Sequence, residues 1–174
     1  MPTQESLNTS DQKHPIPIRL SSVFRPALAG KPTNLEEAEA VVGFKIKVPK
    51  QKLGGKFEGY YTESRADGHQ GIYLKYSSGY TFGAEKIGKV DYKADVAFER
   101  DVIFKESTIH PDSSFHVVYI AGHQGKACAP WHSGDEKGPP QLFWSDSGIE
   151  YDIVPYKLGF EEKQLIEVAE SMYK

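Results

Sequence analysis

The sequence predicts an α+β domain, a mainly antiparallel curved β-sheet with a short N-terminal helix and a C-terminal helix packed on one of its faces. Three observations predict it. Ten Tyr and nine Phe are spread among short alternating runs, which favours strands. Those runs are bracketed by an amphipathic segment near residue 35 and another near residue 160, and the order helix, many strands, helix suits an α+β architecture. From Leu142 onward a hairpin leads directly into the second helix. An isolated hairpin does not hold its own apolar face together, so the closing helix is expected across that face, with Trp144 and Leu165 in one shared interior.

Taken in order, residues 1–22 are polar, carry Pro2, Pro15 and Pro17, and show no sustained period. They read as a flexible tail or a membrane tether, and residues 23–174 as a single domain. Asn34 opens the first helix, with Glu37 three residues on in a pattern related to the capping box. Leu35, Ala38, Val41 and Val42 form its apolar stripe, and Gly43 its stop. Phe44, Ile46 and Val48 then alternate with Lys45 and Lys47, which predicts an edge-type strand ending at Pro49. Further strands are predicted at residues 57–62, at residues 71–77 with Ile72, Leu74 and Tyr76 on one face, and at residues 80–87. A strand is also expected over residues 96–104, where Val96, Phe98, Val102 and Phe104 share a face and Arg100 interrupts them. Residues 115–121 are apolar on both faces and are placed centrally in the sheet. Residues 122–140 read as a polar loop. In the final hairpin Leu142 and Trp144 share a face of the first strand, Ile149, Tyr151 and Ile153 alternate with Glu150 and Asp152 on the second, and Asp146-Ser147-Gly148 supplies the loop. After Gly159 the period changes. Leu165, Val168, Ala169 and Met172 recur at three- and four-residue steps, with Glu161 and Glu162 in the first turn, where the helix dipole favours negative charge.

Composition narrows the function. A net charge of −3 argues against a nucleic-acid partner, which requires a concentrated basic surface. The charge is uneven: residues 1–56 hold nine Lys and Arg against five Asp and Glu. Five lysines fall within residues 45–56. They describe either a surface that meets anionic lipid, polymer or partner, or a solvated strand face whose lysines discourage edge-to-edge pairing. No apolar run approaches the roughly 20 residues that span a bilayer, and no apolar signal-peptide core follows Met1. The single Cys excludes an internal disulfide.

Two stretches resemble a known family. Leu35-Glu36-Glu37-Ala38 through Val42-Gly43-Phe44 to Val48-Pro49 is similar to its opening. Trp144, Gly148, Tyr151, Leu158, Glu161-Glu162, Leu165-Ile166 and Ala169-Glu170-Ser171 are similar to its close. The family is the domain of unknown function numbered 4367, and the resemblance covers residues 33–172, with its specific motifs at the two ends. The family occurs in bacteria and archaea, often outside the membrane, attached to anti-sigma-type regulators or lipoprotein-sorting-like domains. The resemblance implies a non-enzymatic, extracytoplasmic binding or sensing module and supplies no catalytic residues.

The residues offer two candidate sites. Tyr60, Tyr73 and Phe143 are expected to face away from the helices, where they would line a ligand groove or else form cross-strand pairs. His123, Cys128 and His132 lie within ten residues of one another, beside Trp131 and Asp135, and thiolate with imidazole suits Zn or Cu. A closed metal site would draw a fourth ligand from His110, His116 or Asp135. The spacing matches no zinc-finger signature. The enzymatic version of this cluster makes Cys128 a nucleophile with His116, His123 or His132 as base. No nucleophile elbow, phosphate loop or dinucleotide fingerprint accompanies it.

Overall fold

The computed structural model describes residues 31–64, 68–99, 115–133 and 136–174, with the backbone alone at 131–133 and 136. Residues 1–22, the Arg100-to-Phe104 half of one expected strand, His110 and Asp135 lie outside the described residues. Within them the architecture is α+β: a seven-stranded antiparallel sheet with a short helix at its N-terminal side and a closing C-terminal helix. The chain runs through α1 (Leu35–Val42), β1 (Phe57–Ser64), β2 (Gln70–Tyr76), β3 (Tyr80–Lys86), α2 (Tyr92–Phe98), β4 (His116–Ile120), β5 (His123–Cys128), β6 (Trp131–Ser133), β7 (Glu136–Gly138), β8 (Gln141–Asp146), β9 (Ile149–Pro155) and α3 (Glu162–Glu170). The sheet order is β1-β2-β3-β9-β8-β5-β4, and β6 pairs with β7 as a separate two-stranded ribbon.

Local chemistry sets the element ends. Asn34 Oδ1 accepts the Glu37 N–H at 2.9 Å, while Glu37 reaches back to Thr33 N–H and Oγ1, both at 2.7 Å. Gly43 stops the helix at φ 76°. The β8–β9 turn places Ser147 and Gly148 at φ 55° and 82°, the two positive values a twist-compatible hairpin turn requires. Glu161 is the N-cap of α3 rather than a first-turn residue, and Gln164 Oε1 accepts its N–H at 2.8 Å.

The register fixes two faces. Thr62, Ile72, Ala84, Tyr151, Trp144 and Gly125 form one row across the sheet. Leu74, Phe82, Ile153, Leu142 and Ala127 form the next. This face carries the core, sealed by Ala38 and Val42 of α1 and by Leu165, Val168 and Ala169 of α3. Trp144 stacks on Tyr151 at 5.5 Å and lies 6.4 Å from Phe82. Trp144 and Leu165 are both fully buried in this one interior, as expected. On the opposite face α2 packs over β4 and β5.

Four expectations are corrected. Residues 44–48 form no strand. Their apolar side chains do pack on the core, but the backbone is held by side chains: Glu39 Oε1 accepts the Ile46 N–H at 2.9 Å and the Tyr151 hydroxyl accepts the Lys47 N–H at 3.3 Å. The described part of the expected strand 96–104 is the end of helix α2, opened by Asp91 Oδ1, which accepts from Lys93 and Ala94 N–H. The central strand expected over 115–121 is β4, at the sheet edge. The expected loop 122–140 contains β5, β6 and β7.

Candidate binding surface

The three aromatic candidates do not come together. Tyr60 pairs with Leu74 on the core face and packs against Phe57 at 4.7 Å, so it faces the helices and not away from them. Tyr73 and Phe143 do share the opposite face and one register row, but β3 and β9 separate them by three strand spacings, roughly 14 Å. Tyr73 is buried, its hydroxyl held between Glu63 Oε2 at 3.2 Å and Glu85, which also pairs with His69. Phe143 packs on Phe115 at 5.9 Å with the Lys126 ammonium 5.6 Å from its ring.

The metal candidates are also apart. His123 and Cys128 are the first and last residues of β5, separated by roughly 17 Å of strand, and their odd and even positions put them on opposite faces. The His132 backbone pairs with Lys137 in the small ribbon, and its side chain lies outside the described residues. Among the described residues no group of three or more His, Cys, Asp or Glu is placed to hold a metal ion. The Cys128 thiol is buried and pushed up to about 12, mainly by that burial. His116 is bonded to Glu162 Oε1 of α3 at 2.8 Å.

Two polar nodes that sequence reasoning missed are built into the fold. Lys126, 4 % exposed, lies 2.6 Å from Asp95 and 2.7 Å from Glu99, with the Phe115 ring 4.6 Å beneath it. Burial alone would push its ammonium down, but Glu99 and Asp95 outweigh that and hold it up. This node fastens α2 to β5. The second node is Asp146. It is buried yet approached by Lys47 at 2.6 Å, Ser147 at 2.8 Å, the Tyr173 hydroxyl at 3.4 Å and His123 Nδ1 at 3.7 Å. Burial pushes the carboxyl up, and Lys47, Ser147 and His123 together bring it below its ordinary value. Tyr173 also stacks on His123 at 4.8 Å and accepts the Trp144 indole N–H at 3.1 Å. Tyr173 thus joins the segment after α3 to the sheet.

A second surface feature lies at the other end of the strands. There the 49–57 segment, the β2–β3 turn and the residues after β9 converge. Lys56 N–H donates to Ser77 Oγ at 2.8 Å and Ser77 N–H to the Lys56 carbonyl at 2.9 Å. Tyr156 N–H donates to the Gly79 carbonyl at 2.7 Å, and Lys157 Nζ reaches the Ser77 carbonyl at 3.3 Å. Phe57 and Tyr156 flank this turn, and with Leu158 they supply three of the five large hydrophobic residues exposed in the described structure, Leu158 at 59 %. Lys52, Lys56 and Lys157 are exposed in these segments, Lys50 is bonded to the Lys174 carbonyl oxygen, and the half-buried Lys75 is paired with Glu58 at 3.4 Å. At the opposite strand ends Glu63, Glu85 and Glu150 fall in one register row, with Asp146 near them. No protein-family model, curated protein or solved structure matches this chain.

Proposed function

We propose that this chain is a non-enzymatic, extracytoplasmic binding module that meets its partner through the end of the sheet formed by the 49–57 segment, the β2–β3 turn and residues 156–158. The observation that carries the reading is that Phe57, Tyr156 and Leu158, three of the five large hydrophobic residues exposed among the described residues, lie at one end of the strands together with exposed lysines. Contiguous exposed apolar groups rimmed by charge mark contact surfaces. The nucleophile reading finds no support, since a buried thiol held at about 12 is not a thiolate at neutral pH. The extracytoplasmic part rests on the resemblance of residues 33–172 to the family named above.

Cys128 is the one cysteine and is buried, so an introduced cysteine becomes the reactive thiol. Lys86→Cys lies at the acidic end and Leu158→Cys in the patch, both at exposed positions. In intact cells carrying the full-length gene product, a membrane-impermeant maleimide should label Lys86→Cys and should label Leu158→Cys more slowly than it does in the purified protein. Labelling of Lys86→Cys only after permeabilisation overturns the compartment. Undiminished labelling of Leu158→Cys in cells overturns the contact surface.

A further inference from the structure

We infer that the partner of this basic end is an anionic phospholipid surface, with the lysines on the headgroups and Phe57, Tyr156 and Leu158 at the headgroup–acyl boundary. The inference rests on the contact surface proposed above and names its partner.

Two independent features select a membrane over other polyanions. The first is charge. Lys50, Lys52, Lys56 and Lys157 lie in the converging segments with no carboxylate among them, while the chain as a whole is at −3. An anionic surface attracts this group of exposed lysines. The second is apolar content. Leu158 and Phe57 project where a nucleic acid or acidic polypeptide would offer phosphates or carboxylates but no apolar phase, whereas a bilayer interface accepts Leu, Phe and Tyr at the depth to which lysines snorkel. The tyrosine is placed for this. Its hydroxyl donates to the Tyr76 carbonyl at 3.0 Å and Lys75 sits 5.8 Å from its ring, so the ring is held in position beside a cation. The surface is also rigid. Ser78 Oγ donates to the Gly54 carbonyl at 2.8 Å and the Tyr80 hydroxyl accepts the Leu53 N–H at 3.3 Å, which bind the lysine-bearing segment to the turn.

The test is co-sedimentation of the full 174-residue chain with phosphatidylcholine vesicles, with and without phosphatidylglycerol. Binding is expected to the mixed vesicles only, and is expected to disappear as salt shortens the screening length from about 10 Å at 0.1 M to about 3 Å at 1 M. Each lysine contributes about fivefold, so K50E/K52E/K56E should weaken binding by more than about a hundredfold. Leu158→Ser should weaken it by roughly five- to tenfold with the fold unchanged by circular dichroism. Three outcomes overturn the inference: no binding to either vesicle, equal binding to both, or salt-sensitive binding to a polynucleotide as tight as to the vesicles. Head-to-tail self-association through the acidic end, seen by light scattering without lipid and abolished by the same lysine variants, overturns it as well. In each case slow labelling of Leu158→Cys in cells would leave the contact surface standing with a different partner.

Discussion

A buried ammonium is stable only with its counter-charges beside it, and Lys126 has two, Asp95 of α2 and Glu99 at its C-cap. Removing it strands Glu99, itself buried, and leaves Asp95 unpaired. Lys126→Met should therefore cost about 3–5 kcal/mol, read as a fall in urea midpoint at unchanged slope. Lys126→Met with Glu99→Leu should recover much of the loss, because no uncompensated buried charge remains. Asp146 makes a prediction about pH. Its folded-state value lies below the ordinary one, so the unfolded chain takes up its proton first as pH falls. The stability it confers is fully present above about pH 4 and is lost as pH drops through that value toward the folded one. Unfolding free energies measured between about pH 6 and pH 3 should fall less steeply for Asp146→Asn than for the native chain. None of this was legible in the sequence. Lys126 sits in a stretch that reads as a polar loop, and its partners come from a segment whose helical signal, Asp91 ahead of Tyr92 and Val96 at i and i+4, is outweighed by the alternation of Val96 and Phe98.

Single positions also decide how whole strands fit. Gly125 lies opposite Trp144, and a Cβ there would stand 2.3 Å from the Phe143 carbonyl oxygen and 2.7 Å from Trp144 Cβ. The backbone atom cannot yield without breaking the β5–β8 ladder. Gly125→Ala should cost about 1–3 kcal/mol or more, seen as a lowered Tm with loss of native Trp fluorescence at an earlier temperature. The elements differ in how plainly they were written. The β8–β9 hairpin and α3 were legible because an Asp-Ser-Gly turn separates two alternating runs and a clear change of period follows. Alternation at 44–48 was legible as half-burial and misread as pairing, since side chains of Glu39 and Tyr151, far apart in sequence, satisfy its N–H groups. The doubly apolar 115–121 run was misread as central. α2 and α3 each contact β4 and half-bury Val117 and Val118, while Tyr119 stays exposed, as an edge strand allows. The β4–β5 hairpin was missed because its turn, Ala121-Gly122 at φ 49° and 88°, lacks the Asn or Asp that marks such turns.

For the whole molecule the question is whether two strand groups behave as one body. β1, β2 and β3 form a continuous meander, β4, β5, β8 and β9 a second group, and the two groups join along β3 and β9. The core crosses that seam. Phe82 and Ala84 lie against Ile153 and Tyr151, and α3 adds Leu165, Val168 and Ala169 to the cluster that also contains Ile72 and Leu74. The fold class was legible from the chain because this arrangement needs only alternating runs and a closing amphipathic helix. The proposed contact surface was legible only in part. Five lysines stood out in 45–56, but the approach of Tyr156, Lys157 and Leu158 depends on the β2–β3 turn lying between segments nearly a hundred residues apart. The continuous core makes a final expectation. Leu165→Ala removes a fully buried side chain at the centre of the shared interior and should cost about 2–5 kcal/mol. If the strand groups are one cooperative unit, Trp144 fluorescence and far-ultraviolet ellipticity should move to the same lower midpoint in that variant. A Trp144 transition that falls while the ellipticity transition stays in place would show β8, β9 and α3 unfolding apart from the meander, and the seam at β3–β9 would then be a boundary and not a core.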